Sequence, residues 1–165
     1  MKYKNIFGME IEWDFKKIFL LSSLLIFPNV LALFHFQLFG LRIHFFQYLI
    51  FLAAFIFGPV GGILSGGIGS FYTAIALNNP YIAIGNMILG GFVGLFMKYK
   101  IGIMPSVLLA YAIQVPWLWV TDIYLAGMIM KYVNMIVIAL LVSNIICGFM
   151  TKLTAKRIKS LFFDF

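Results

Sequence analysis

Long apolar runs, separated by short polar, glycine- or proline-containing breaks, make up most of this chain. Six runs can be drawn, at about residues 18–34, 43–57, 60–77, 81–97, 101–120 and 131–151. Runs of this kind are typical of helices that cross a lipid bilayer, whose ~30 Å hydrocarbon core takes about 20 residues. The pattern therefore predicts an all-α membrane protein, a bundle of six transmembrane helices.

The breaks fall at residues that interrupt helices. Gly58-Pro59 separates the second run from the third, and Asn78-Asn79-Pro80 separates the third from the fourth. Proline lacks a backbone donor and glycine tolerates unusual backbone angles, so both residues favour turns. We also expect a kink or a broken turn at Pro28, inside the first run. The segment from His35 to Arg42 is predicted to connect the first two runs.

The composition supports a membrane location. Hydrophobic residues form 64% of the 165 residues and charged residues only 10%. A soluble domain is closer to half apolar and a quarter charged. A chain of this size leaves much of its surface exposed when folded, so the excess apolar surface must face lipid. One bundle accounts for nearly the whole chain, which predicts a single domain over residues 1–165.

The charge distribution predicts the orientation. The net charge is +7, and ten of the twelve basic residues fall on one side of a six-span arrangement. They are Lys2, Lys4, Lys16, Lys17, Lys98, Lys100, Lys152, Lys156, Arg157 and Lys159. Basic residues in short loops mark the cytoplasmic side, so both termini are predicted to be cytoplasmic. Residues 1–15 are expected to lie at the membrane interface and residues 152–165 to form a basic tail. The basic residues flank apolar runs instead of forming a stripe, which argues against nucleic acid as a partner.

Small residues recur every four positions in the third run. They are Gly58, Gly62, Gly66, Ser70 and Ala74. Side chains this small let helix backbones approach closely. The row is explained by packing inside one bundle or, alternatively, by docking of another membrane subunit. The docking candidates are Gly62, Gly66 and Ser70, with Ser22 and Ala32 on the first run.

Polar side chains gather on the predicted outer side, around three loops. The candidates for substrate binding are His35, Gln37, Arg42, His44, Gln47, Asn79, Tyr81, Asn86, Gln114, Trp117, Asp122, Lys131 and Asn134. Each alone fits a helix cap or an interfacial residue. Together they could form a pocket for a small organic molecule, with Gln114 and Asn134 placed deepest. Arg42 and Lys131 could meet an anionic group and Asp122 an amine, which suggests a small, partly aromatic compound that can carry an anionic group.

The sequence argues against an enzyme, and it predicts neither a cofactor nor a metal site. Four of the five acidic residues lie near the chain ends, at Glu10, Glu12, Asp14 and Asp164. No paired carboxylates or catalytic triad can be assembled from the remainder. His35 and His44 have no nearby cysteine or carboxylate in the sequence, so they would make a poor first set of metal ligands.

Several segments together resemble the substrate-binding S components of energy-coupling factor (ECF) transporters. The first is an apolar helix ending in FGP, followed by GGILSGGIGSFYTA, a turn and NMILGGFVGLF. The later AIQVPWLWVTDIYL and the closing VSNIICGFMTKL fit the same pattern. The similarity runs in order over nearly the whole chain from about residue 18.

The resemblance implies a function. S components are multi-pass proteins of the prokaryotic plasma membrane that bind a vitamin or similar micronutrient in a pocket at the outer side. They pair with a membrane coupling subunit and two cytoplasmic ATPases, which carry out ATP hydrolysis. The loop between the first two helices, here His35 to Arg42, commonly closes the pocket. The family often has an Ala-x-x-x-Ala docking pattern on its first helix, which this chain lacks, and the N-terminal histidine of the metal-transporting members is also missing.

A scaffold protein is the main alternative. Small rod-shape proteins of the MreD type are similar in size, helix number and basic cytoplasmic ends. Such a protein would not need polar groups that converge from three loops. Co-purification with ATPases and a coupling subunit, or instead with a cell-wall assembly complex, distinguishes the two.

Overall fold

The computed structural model describes residues 2–4, 10–38 and 41–163, and only the backbone of residues 2–4, 10–12, 35, 38 and 41. Much of the predicted interfacial segment 1–15 therefore lies outside the described residues. The helices are α1 (Phe15–Leu31), α2 (Gln47–Ile68), α3 (Phe71–Ala76), α4 (Tyr81–Lys98), α5 (Ile103–Trp119) and α6 (Met130–Phe162). A π-helical segment, Val120–Leu125, continues α5. The predicted helical class is confirmed.

Two short antiparallel hairpins complete the described fold. Strand β1 (Lys2–Lys4) pairs with β2 (Glu10–Glu12), and β3 (His35–Leu38) pairs with β4 (Leu41–His44). The second hairpin occupies the predicted connection between the first two runs and extends to His44, inside the predicted second run.

Four segments are long and apolar enough to cross a membrane. They are Gln47–Ala76, Tyr81–Lys98, Ile103–Leu125 and Met130–Phe162. The longest, α6, has 33 residues and at ~1.5 Å per residue extends about 50 Å, well beyond a ~30 Å hydrocarbon core. It is therefore longer than such a core requires, and its last turns contain four basic residues, Lys152, Lys156, Arg157 and Lys159.

The prediction of six separate helices is wrong in one respect. Five long helices are present, because the predicted second and third runs belong to one element, α2, which is interrupted inside. The interruption is at Gly58, whose φ of 69° and ψ of −159° are not helical. A side chain is disfavoured at such a φ, so glycine is needed at this turn. The predicted break at Gly58-Pro59 is confirmed.

The two halves of α2 fold back on each other at Gly58. A Cβ atom placed on Gly61 would lie 2.5 Å from Cβ of Phe57 and 2.7 Å from the carbonyl oxygen of Ala53. In an uninterrupted helix, residues eight apart would be separated by about 12 Å along the axis. Residues 47–57, the first arm, and 59–68, the second arm, therefore lie side by side and run in opposite directions.

The small residues of the second arm form a close contact with α4. A Cβ on Gly62 would collide with the backbone carbonyl of Gly90, and one on Gly66 with the carbonyl of Asn86. The contact moves back along α4 as it moves forward along the arm, so the two helices are antiparallel. This supports the packing explanation of the glycine row.

The same burial corrects the predicted docking surface. Gly62, Gly66 and Ser70 are buried inside the bundle, and Ala32 is buried in the apolar core. A partner subunit cannot reach these positions without separating packed helices. Of the five docking candidates, only Ser22 is exposed, on α1.

Aromatic contacts hold both terminal segments against the Gly58 turn. The rings of Trp13 and Phe57 are stacked with centroids 5.9 Å apart, and Phe57 also contacts the ring of Phe163 at 5.9 Å. The ammonium group of Lys17 lies 5.2 Å from the centre of the Phe163 ring. The start of α1, the turn in α2 and the end of α6 are therefore at one end of the bundle.

Eight of the ten basic side chains described cluster at this end, and the other two, Arg42 and Lys131, lie elsewhere. Gly94 lies against Gly58 and Pro59, which places the C-terminal turn of α4 there as well. The residues concerned are Lys16, Lys17, Lys98, Lys100, Lys152, Lys156, Arg157 and Lys159. We call this end of the bundle the basic end.

Asp14 caps the N-terminus of α1, and this predicts a pH-dependent contribution to stability. Its side chain accepts a hydrogen bond from the backbone N–H of Lys17 at 2.8 Å and pairs with the Lys17 ammonium at 3.1 Å. The backbone hydrogen bond holds the pKa of this carboxyl below its usual value. The cap is therefore fully stabilising above the unfolded-state pKa and is lost as the pH falls through the lower, folded-state pKa.

We expect Asp14→Ala to lower the melting temperature slightly at neutral pH, because an unpaired N–H remains at the helix start. Asp14→Ser should retain most of the stability, since serine also caps. The difference between Asp14→Ala and the parent chain should shrink as the carboxyl becomes protonated. A difference that stays constant down to acid pH would contradict the capping role.

Candidate functional site

A pocket of about 320 Å³ lies at the end of the bundle opposite the basic end. Its walls come from the end of α1, strand β4, α3, the start of α4, the end of α5, the π-helical segment and the start of α6. Most of the lining is apolar, with Phe46, Ile82, Leu118 and Ile136 among its side chains. Mainly apolar walls with a few polar groups are typical of sites for small organic molecules.

The structure brings six of the predicted site residues together in this pocket. They are Arg42, His44, Asn79, Asn86, Gln114 and Asp122. They come from strand β4, the turn before α4, α4 itself, α5 and the π-helical segment. The predicted convergence of polar groups from several loops therefore occurs for about half of the candidates.

Strand β4 brings Arg42 and His44 to the pocket because its end is fixed to α6. The backbone N–H of His44 donates to Oγ of Ser143 at 3.1 Å, and the thiol of Cys147 contacts the His44 carbonyl oxygen at 3.6 Å. Ser143 in turn donates to the carbonyl of Ala139 one helical turn earlier. The hairpin is thus tied to the helix that forms the opposite wall.

Asp122 is the most buried acidic side chain described, with 4% of its surface exposed. Its Oδ1 accepts a hydrogen bond of 2.7 Å from Nδ2 of Asn79, which is itself 1% exposed. Oδ1 of Asn79 accepts from the backbone N–H of Tyr81 at 3.1 Å, and this fixes the orientation of the amide. Within the described chain, no basic side chain forms an ion pair with Asp122.

The π-helical segment determines where the Asp122 carboxylate lies. Its wider turn is closed by a 2.8 Å bond from the N–H of Ala126 to the carbonyl of Thr121, five residues earlier. Pro116 interrupts the regular bonding pattern just before it. Gln114, Leu118 and Asp122 then follow at four-residue intervals and all line the pocket. Segments of this kind are frequent at functional sites.

A chain of hydrogen bonds sets the orientation of Gln114. Its Nε2 donates to Oδ1 of Asn86 at 3.4 Å, and Nδ2 of Asn86 donates to Oγ of Ser70 at 2.8 Å. Ser70 donates its one hydroxyl proton to the carbonyl of Gly66 at 2.6 Å. Oε1 of Gln114 is buried and receives no hydrogen bond from any described residue.

Six predicted residues are described but lie outside the pocket lining, and four of them are Gln37, Gln47, Tyr81 and Trp117. Gln37 is exposed on β3, and Gln47 is fully buried at the start of α2. The backbone carbonyl of Tyr81 accepts a 3.2 Å hydrogen bond from the indole N–H of Trp117, so these two residues join α4 to α5. The structural role of Tyr81 and Trp117 is therefore to connect these two helices.

The remaining three candidates are Lys131, Asn134 and His35. Lys131 is exposed at the start of α6. Asn134 is exposed as well, with its Oδ1 accepting from the indole N–H of Trp119 at 3.2 Å, so the prediction that it lies deep is wrong. Gln114, by contrast, is 2% exposed, as predicted. The side chain of His35 lies outside the described residues.

Some lining residues were not among the candidates. Tyr72 and Thr73 come from α3, and Tyr132 and Met135 from α6. The first two belong to a segment whose small residues point to packing. Tyr132 could have been predicted from the sequence, because it lies beside Lys131 at the predicted third outer loop. Aromatic residues at such a position also fit an interfacial belt.

The arrangement offers polar groups to which a small molecule could bind reversibly. It offers acceptor atoms on the buried Asp122 and Gln114 and the guanidinium of the exposed Arg42, beside mainly apolar walls. No group of three His, Cys, Asp or Glu side chains among the described residues could hold a metal ion. Compared with known protein families, curated proteins and solved structures, the chain matches none of them.

Proposed function

We propose that this chain is the substrate-binding S component of an ECF importer, which captures a vitamin or similar small organic micronutrient at the outer face of the plasma membrane of a prokaryote. The observation that carries the proposal is the position of the pocket. It lies at the end of the bundle opposite eight described basic side chains. Basic ends face the cytoplasm, so the pocket would be accessible from outside.

The topology follows from the same geometry. If α1 and the two antiparallel arms of α2 each cross the bilayer with α4, α5 and α6, the chain crosses six times. Both termini, the Gly58 turn and the Lys98–Lys100 segment would then be cytoplasmic. The β3–β4 hairpin would lie at the outer surface, where Arg42 and His44 reach the pocket.

The pocket also supports capture of a small molecule over a purely structural role. A scaffold has no need for a cavity of about 320 Å³ that is lined by Gln114, whose buried Oε1 receives no hydrogen bond from any described residue. Buried polar groups normally have partners, since an unpaired one is destabilising. ATP hydrolysis would belong to the two partner ATPases, coupled through a membrane subunit.

We expect the tagged chain, purified in mild detergent from its own host, to retain a coupling subunit and two ATPases in native mass spectrometry. Loss of the ATPases on mild heating should leave the chain with the coupling subunit. Recovery of cell-wall assembly proteins alone would contradict the proposal and favour an MreD-like scaffold.

A pair of variants tests where the coupling subunit docks. Ser22 is exposed on α1, and we expect Ser22→Trp to reduce the recovered coupling subunit several-fold by obstructing close helix contact. Ile138→Trp is the matched control, since Ile138 is a lipid-exposed position on α6 with 53% of its surface exposed. Equal recovery from both variants would move the docking surface away from α1.

A further inference from the structure

The hydrogen-bond directions inside the pocket restrict what it can bind. Ser70 has one hydroxyl proton, which it donates to the carbonyl of Gly66. Its oxygen can then only accept, so Asn86 must present its NH₂ group to Ser70 and its oxygen to Gln114. Gln114 must use its own NH₂ group for that contact. Its carbonyl oxygen is therefore left as an acceptor.

Asp122 contributes a second acceptor by a similar argument. The amide of Asn79 is oriented by the backbone N–H of Tyr81, so its NH₂ group faces Oδ1 of Asp122. Among the described residues, none donates a hydrogen bond to the other carboxylate oxygen, Oδ2. Because Asp122 is 4% exposed and lines the pocket, this oxygen is available mainly to an occupant of the pocket.

The two acceptors lie at different depths. Gln114 and Asp122 are eight residues apart on one face, which at ~1.5 Å per residue corresponds to about 12 Å along the helix axis. A molecule that meets both acceptors must carry donors at two separate positions, with apolar or aromatic surface between them to contact the pocket walls.

We propose that the occupant is a nitrogenous organic molecule with at least two N–H donor positions, and that a basic nitrogen faces Asp122. The inference rests on the pocket being the substrate site of the proposed function, and it adds the class of substrate. A carboxylate that is almost fully buried without an ion-pair partner in the described chain is best satisfied by a cationic donor. A neutral N–H group suffices at Gln114, because that acceptor is an amide oxygen.

The test is to identify what the full chain retains. The protein is purified in mild detergent, unfolded to release small molecules, and the released compounds are analysed by high-resolution mass spectrometry. Hydrogen–deuterium exchange then counts their exchangeable protons. We expect a compound with at least two N–H protons and one basic nitrogen. A retained compound without nitrogen, or with only acidic groups, would overturn the inference while leaving small-molecule capture intact.

Variants link the compound to the two acceptors. Gln114→Met has a similar size but cannot accept a strong hydrogen bond, and we expect roughly tenfold or greater loss of occupancy. Asp122→Asn keeps an oxygen for Asn79 but removes the charge, and we expect a similar or larger loss. Gln37→Met is the matched control, because Gln37 is exposed and outside the pocket.

The outcomes separate the two proposals. Unchanged occupancy in both pocket variants, with folding checked by size-exclusion chromatography, would overturn the assignment of the acceptors. Retention of no small molecule by the parent chain would contradict capture itself, and with it the proposed function.

Discussion

Gly62→Ala is expected to destabilise the bundle by about 3 kcal/mol, at the upper end of the usual cost of overpacking. A Cβ at this position collides with the backbone carbonyl of Gly90 and lies 3.1 Å from Cβ of Ala54. Backbone atoms on a packed helix cannot rotate aside as a side chain can. The second arm and α4 would have to separate, which weakens contacts along both helices.

Gly67→Ala is the matched control for this prediction. Gly67 belongs to the same arm, but the nearest atoms to an added Cβ belong to the flexible side chain of Met87, at 3.1 Å and 3.2 Å. Alanine also favours helix by up to about 1 kcal/mol relative to glycine. Thermal unfolding in detergent should show a large decrease for Gly62→Ala and little change for Gly67→Ala. Equal effects would show that the arm does not pack on α4 as described.

The second large effect concerns the Asn79–Asp122 pair. Asn79→Leu removes the 2.7 Å hydrogen bond to a buried carboxylate, and leaving such a group unpaired costs about 3 kcal/mol. Adding Asp122→Leu removes the stranded carboxylate as well. We therefore expect the double variant to recover about 1–2 kcal/mol relative to Asn79→Leu alone, as measured by unfolding.

The same double variant separates stability from binding. It should approach the parent chain in melting temperature yet retain none of the small molecule that the parent carries. If the stability lost in the double variant equals the sum of the losses in Asn79→Leu and Asp122→Leu, the two side chains do not interact. Retention of the molecule by the double variant would remove Asp122 from the site.

Some features of the fold follow from single residues in the sequence. Gly58 is needed where φ is positive, so the break in α2 was predictable. The sharpness of the turn was not, because a glycine-proline pair is compatible with either a bend or a reversal. Strands β3 and β4 also left a signal, since His35, Gln37, Arg42 and His44 alternate with apolar residues, a period-two pattern. A single short alternation between two long helices carries little weight, and it was interpreted as a connection.

The sequence indicates where the candidate site lies better than it indicates which residues line it. The polar residues predicted near the outer ends of helices include Asn79, Gln114 and Asp122, which line the pocket. Asn134 was placed wrongly because α6 is apolar around most of its circumference in this region. A helix that faces lipid on one side and protein on the other gives no strong amphipathic phase, so its rotation cannot be obtained from the pattern.

Ser70 shows the opposite difficulty. Its place in a row of small residues fits close packing, and it is fully buried as that explanation requires. The sequence does not indicate that the same hydroxyl also orients Asn86, which is 16 residues away. Such a role depends on two helices meeting at one level, and this is a property of the folded chain.

The contact between the second arm and α4 has a consequence for selectivity. Gly66 touches the backbone of Asn86, and its carbonyl also receives the Ser70 proton that orders the amides of Asn86 and Gln114. A small sliding of one helix along the other would lengthen the 2.8 Å bond from Asn86 to Ser70 and free both amides to turn over. Gln114 would then present a donor where it now presents an acceptor. The alignment of two helix backbones thus determines which chemical group the pocket accepts.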